Sequence, residues 1–158
     1  MADLLRGPCL ALALLSASGS AAAQSAGDRV DAGDIQLTGL PAQDLETGHC
    51  GLFLWSKSPR PVFIVFVTDT PAKAKISLNG KMRQLKRTVV SGEPVFGHFE
   101  KQTFSGNGVT FQIDLTFDRE KPVQDGAVIK TGVLRTRSKR GFEAVVPVGG
   151  MIGCKKAE

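Results

Sequence analysis

Val109-Thr110-Phe111-Gln112-Ile113-Asp114-Leu115-Thr116-Phe117 alternates apolar and polar residues without a fault. Val109, Phe111, Ile113, Leu115 and Phe117 fall on one side of an extended chain, and Thr110, Gln112, Asp114 and Thr116 on the other. A period of two over nine residues predicts a strand with one face in a core and one in water. On the N-terminal side, Pro61 to Val67 is continuously apolar and β-branched or aromatic, which predicts a strand covered on both faces. Ala74, Ile76 and Leu78 alternate up to Asn79-Gly80, and both residues of that pair tolerate positive φ, so a hairpin follows. Further strands are expected at Leu52–Trp55, Val95–Phe99, Val128–Arg137 and Phe142–Val148. Turn chemistry separates them: Ser91-Gly92-Glu93-Pro94, Ser105-Gly106-Asn107-Gly108, Gln124-Asp125-Gly126 and Ser138-Lys139-Arg140-Gly141. Seven or eight short strands, with no helical period after Cys50, predict an all-β fold: a small antiparallel barrel or sandwich.

The chain has 158 residues, enough for one domain and a tail. Hydrophobic residues make up 42% and charged residues 22%, which excludes wholesale disorder and a collagen-like fibre. Met1 to Arg6 holds the first charges, Cys9 to Leu15 is a compact apolar run, and Ser16 to Ala23 is built from small residues. This layout predicts a secretory signal peptide over residues 1–23, cleaved after Ala23. The apolar run falls far short of the roughly 20 residues needed to span a bilayer, so the mature chain is expected to be periplasmic or secreted without a transmembrane segment.

Residues 24–49 carry five acids against Arg29 alone, whereas the chain from Cys50 onward carries 18 basic residues against nine acids, a net +9. Composition shifts at the same place. Residues 24–49 therefore read as an acidic flexible leader and residues 50–158 as the β-barrel domain.

With Cys9 removed in the signal peptide, Cys50 and Cys154 are the surviving cysteines. An even pair in an exported chain predicts one disulfide. It joins the first strand to the last, favours a barrel over a sandwich, and stabilises by about 4–5 kcal/mol through loop entropy. A metal or redox site is the weaker reading. No Cys-x-x-Cys occurs, and His49 and Cys50 point opposite ways on an extended chain. No cofactor is expected.

Catalysis has little to work with. His98 lies in Val95-Phe96-Gly97-His98-Phe99, where either face of the strand could be the buried one, and no nucleophile, metalloprotease or phosphate-loop motif is present. Gly149-Gly150-Met151-Ile152-Gly153 has no helix after it and reads as a strand end packed against a neighbour. Trp55 shares a face with Phe53, Leu52 and Leu54 taking the other, and most of the Phe residues are expected in the core.

The sequence thus points to a non-enzymatic binding protein. Lys81, Arg83, Lys86 and Arg87 lie on one hairpin and Arg135, Arg137, Lys139 and Arg140 on another. Brought together, they would suit an anionic envelope polymer, a lipid surface or an acidic protein. Nucleic acid is the weaker partner, because the chain is exported and its basic runs lack interleaved aromatics.

From Phe63 to about Leu115 the order of features resembles the periplasmic C-type lysozyme inhibitors, small disulfide-tied β barrels. The resemblance rests on Phe66-Val67-Thr68-Asp69-Thr70-Pro71, Ala74-Lys75-Ile76-Ser77-Leu78-Asn79-Gly80, Leu85 and Ser91-Gly92. It implies a similar barrel, with Ser91 and Gly92 in the loop that meets the enzyme. Val95 stands at that family's Tyr position, and Phe104-Ser105-Gly106-Asn107-Gly108 stands where its Lys-bearing loop lies. Inhibition of a lysozyme-type hydrolase is accordingly the alternative expectation.

Overall fold

A computed structural model describes residues 29–32, 35–120, 123–138, 141 and 143–157. The signal peptide assigned to residues 1–23 lies outside them, as do Lys139 and Arg140. Ten strands follow one another: β1 (Arg29–Ala32), β2 (Ile35–Thr38), β3 (Cys50–Ser56), β4 (Phe63–Thr68), β5 (Lys73–Leu78), β6 (Lys81–Val95), β7 (His98–Gly106), β8 (Val109–Phe117), β9 (Gly126–Ser138) and β10 (Glu143–Cys154). Every neighbouring pair is antiparallel.

Strands β3 to β10 close on themselves. Each pairs with the next, and β10 returns to β3 with Cys154 opposite Cys50. Those two cysteines are bonded, with Cα atoms 4.0 Å apart and a sequence separation of 104. The barrel expected from the sequence is therefore the fold, and the sandwich is not. Closure leaves no open sheet between the first and last barrel strands, which removes the edge such a sheet would otherwise expose.

Alternation fills the interior. Leu52 and Leu54 face Val67 and Val65 across β3 and β4, Phe104 faces Phe111 with ring centroids 4.9 Å apart, and Ile113 faces Leu134. All of these are fully buried. The Asn79-Gly80 hairpin forms as predicted, with φ of +50° and +74°, the left-handed values that asparagine and glycine tolerate. Asn107-Gly108 repeats the device.

The connections alternate between two ends. At the lower end lie the β3–β4 loop, the Asn79-Gly80 and Asn107-Gly108 turns, and the β9–β10 connection. At the upper end lie the β4–β5 turn, the Phe96-Gly97 turn, the β8–β9 connection and the disulfide.

Three expectations differ from what is found. The leader is not loose from Ile35 onward. Strand β2 pairs Leu37 with Leu78 at the lower tip of β5, and Asn79 clips Gln36 with its side chain and its backbone N–H. Ile35, Leu37 and Leu40 are buried, and the following residues climb the outer wall so that Leu45 and Phe66 crowd the Gly51 position. Second, Val95–Phe99 is a hairpin turn and not a strand, since Phe96 and Gly97 take φ of +48° and +78°. Ser91-Gly92-Glu93-Pro94 is instead a bulge inside β6, because the residues that favour turns also favour bulges. Third, the phenylalanines divide. Phe104, Phe111 and Phe117 enter the core, while Phe53, Phe63 and Phe66 line the outside of β3 and β4 with Trp55.

Candidate anion-binding end

The basic residues singled out in the sequence go to three places. Arg83 pairs across strands with Ile76 and Lys81 with Leu78, so both take the inward-facing row of β6 at the lower mouth. There they line a pocket of about 270 Å³ with Ile35, Leu78, Asn79 and Val109. Lys86 takes the outer wall in one cross-strand row with Ser105, Thr110 and Arg137. Three strand spacings separate Lys86 from Arg137, about 14 Å. Arg135 sits one row higher on the same wall, and Arg137 donates to Glu143 at 3.4 Å. Among the described residues, the cations of the two basic hairpins therefore do not form one contiguous patch.

Arg87 leaves the basic set altogether. It is half-buried at the upper end, where its guanidinium donates to the Gly97 carbonyl at 2.9 Å and to Gln102 Oε1 at 3.0 Å. Its charge also lies 5.3 Å from the centroid of the Phe99 ring. Burial lowers its pKa from the ordinary value and the nearby Asp69 opposes that shift. Its task is to tie the β6–β7 hairpin down over the barrel.

His98 is fully buried beneath that hairpin, which settles the orientation the sequence left open. Neither ring nitrogen has a hydrogen-bond partner among the described residues. Burial first, and then the positive Arg87, push its pKa down to about 4, while the Cys50 backbone and Asp69 pull the other way. Asp69 accepts from the Thr70 N–H at 2.7 Å and lies 3.1 Å from His49 Nδ1. Burial works to raise its carboxyl, and the hydrogen bonds from the Cys50 backbone, His49 and Thr70 outweigh it and hold the group below the usual carboxylate range. Among the described residues no three His, Cys, Asp or Glu side chains converge to hold a metal ion.

Charge is segregated along the barrel. The described acidic side chains gather at the upper end or in the upper half of the wall, with Glu143 the exception. Many meet a cation there: Lys101 with Asp114 at 3.8 Å, Lys156 with Asp125 at 3.0 Å, and Arg119 with Glu93 and Glu100. At the lower end, Lys57 and Arg60 in the β3–β4 loop join Lys81 and Arg83. Among the described residues none of these four has a carboxylate within ion-pair distance.

Ser91 and Gly92 are exposed in the β6 bulge, and a Cβ at Gly92 would fall 2.6 Å from Glu100 Oε2. The loop is thus flanked by Glu93 and Glu100. Sequence reasoning missed Lys57, Arg60 and an open apolar groove beside them. That groove is lined by Trp55, Ser56, Lys57, Ser58, Pro59, Pro61, Gly149 and Gly150. The pairing of Trp55 with Gly149 is what opens it, and that depends on a register across β3 and β10 that no local pattern reveals. No protein family, curated protein or solved structure matches this chain.

Proposed function

We propose that this protein is an exported, non-catalytic barrel that binds an anionic component of the cell envelope at its lower end. One observation carries the reading: among the described residues Lys57, Arg60, Lys81 and Arg83 share that end with no carboxylate within ion-pair distance of any of them. Uncompensated cations beside a shallow apolar pocket attract anions. Export is supported by the N-terminal 23 residues and by the bonded cysteine pair, which suits an oxidising compartment. The fold adds that among the described residues no helix is long and apolar enough to cross a membrane.

The test is retention on vesicles containing anionic lipid at low and high salt. Retention at low salt that weakens steeply as salt rises is expected. Equal retention at both salts removes an electrostatic partner, and retention at neither removes anionic lipid as that partner.

Inhibition of a lysozyme-type hydrolase keeps one supporting feature, the exposure of Ser91 on a protruding bulge. Glu93 and Glu100 beside it oppose entry into an acidic cleft. Unchanged clearing of a bacterial suspension by c-type lysozyme at equimolar protein would discard this alternative.

A further inference from the structure

Trp55 and the residues around it form a face that the anion-binding end does not by itself explain. On the outer wall, Trp55 stands between Gly149 of β10 and Phe63 of β4, and the next row runs from Met151 through Phe53 to Phe66. The Trp55 and Phe63 rings lie 5.0 Å apart, and Phe53 stacks beside both. Phe66 is covered by the segment after β2, but Met151 is 42% exposed and Pro59, Arg60 and Pro61 stand out in solvent. The two glycines are fixed by close approach: a Cβ at Gly150 would lie 1.9 Å from the Phe53 carbonyl oxygen, and one at Gly149 would lie 2.9 Å from the Lys57 side chain. The Lys57 stem lies across Gly149, and beside it an open groove runs along the half-buried indole.

The polar groups bordering the groove are already committed. Ser56 Oγ accepts from the Val62 N–H at 3.0 Å and meets Ser58 Oγ at 3.2 Å, and Lys57 Nζ donates to the Lys130 carbonyl at 2.8 Å. A saccharide or a peptide backbone would bring donors and acceptors to a surface with few free partners, at a desolvation cost. Hydrocarbon would not. Apolar rings and prolines beside unneutralised cations complement a surface that is oily just beneath an anionic layer, which is the headgroup boundary of a bilayer.

We infer that the Trp55 groove and the Pro59-Arg60-Pro61 loop dock the lower end onto an anionic lipid bilayer, the rings entering the headgroup boundary while Arg60 contacts lipid phosphates. This deepens the proposed function and rests on it, since the same cations make the first contact.

Trp55 is the sole Trp and the chain has no Tyr, so intrinsic emission reports on the groove alone. The purified protein is titrated with phosphatidylglycerol–phosphatidylcholine vesicles, with pure phosphatidylcholine vesicles, and with polyphosphate, binding being followed separately by co-sedimentation or retention. With the anionic vesicles alone, Trp55 emission moves to the blue and acrylamide quenches it less. Polyphosphate binds without a shift. Arg60→Glu weakens vesicle binding roughly 10- to 30-fold, and the uncharged change Pro59→Ser, at an exposed site, reduces the shift while leaving polyphosphate binding intact.

Vesicle binding with unchanged Trp55 emission, or polyphosphate binding without vesicle binding, overturns this inference and leaves the electrostatic reading standing. Failure to bind either one sinks both.

Discussion

His98 shows how one buried side chain ties stability to pH. In the folded chain its pKa lies near 4, whereas an unfolded histidine titrates near its ordinary value of about 6.5. Between those values the unfolded state takes up a proton that the folded state refuses, so stability falls as pH drops through that window. The expected loss between pH 7 and pH 5 is about 2 kcal/mol, read from urea midpoints, and His98→Leu should remove most of it. An unchanged midpoint at pH 5, or a variant that keeps the full loss, would contradict the burial of a neutral imidazole. Gly150 offers a test of packing at the same scale. A Cβ there must push the Phe53 backbone aside, so Gly150→Ala should cost about 3 kcal/mol, and a variant as stable as the parent would mean that β3 and β10 are not in this register. At this scale the sequence was legible where a residue's own conformational freedom decides, as at Asn79-Gly80. It was not legible at His98, because a turn with Phe96 at positive φ contradicts the preference of an aromatic residue.

Strands with unbroken alternation, such as β8, could be read from their residues, because one wet and one dry face impose a period of two. Strand β7 was hidden, since Lys101, Gln102 and Thr103 supply little apolar signal and Gln102 is buried through its bond from Arg87. Strand β2 was hidden for a different reason. Its few apolar residues sit among Ala, Gly and Asp, so composition averaged over residues 24–49 describes a tail, while Leu37 individually is fully buried. Leu37→Ala should therefore cost about 2–4 kcal/mol in chemical denaturation. A change within experimental error would show that the segment before the barrel contributes nothing to the fold.

Across the molecule, closure could be inferred from the chain. Bonding Cys50 to Cys154 makes the first and last barrel strands neighbours, and eight antiparallel strands then return on themselves. The excess of basic residues was equally plain in the sequence. Their placement was not, because which cations share an end depends on the alternation of connections around the barrel and on the face each residue takes. That is why Arg87, read as part of a basic hairpin, serves as an internal tie, while Lys57 and Arg60 escaped notice. The central claim is positional: the lower end, and not net charge, binds the anionic partner. It is tested most directly by comparing two double variants with the same change in net charge, Lys81→Glu with Arg83→Glu at the lower mouth and Lys155→Glu with Lys156→Glu beside the disulfide. The measurement is affinity for anionic vesicles at low salt. Loss of binding in the first and near-parental binding in the second is the predicted result, whereas equal weakening in both would contradict it.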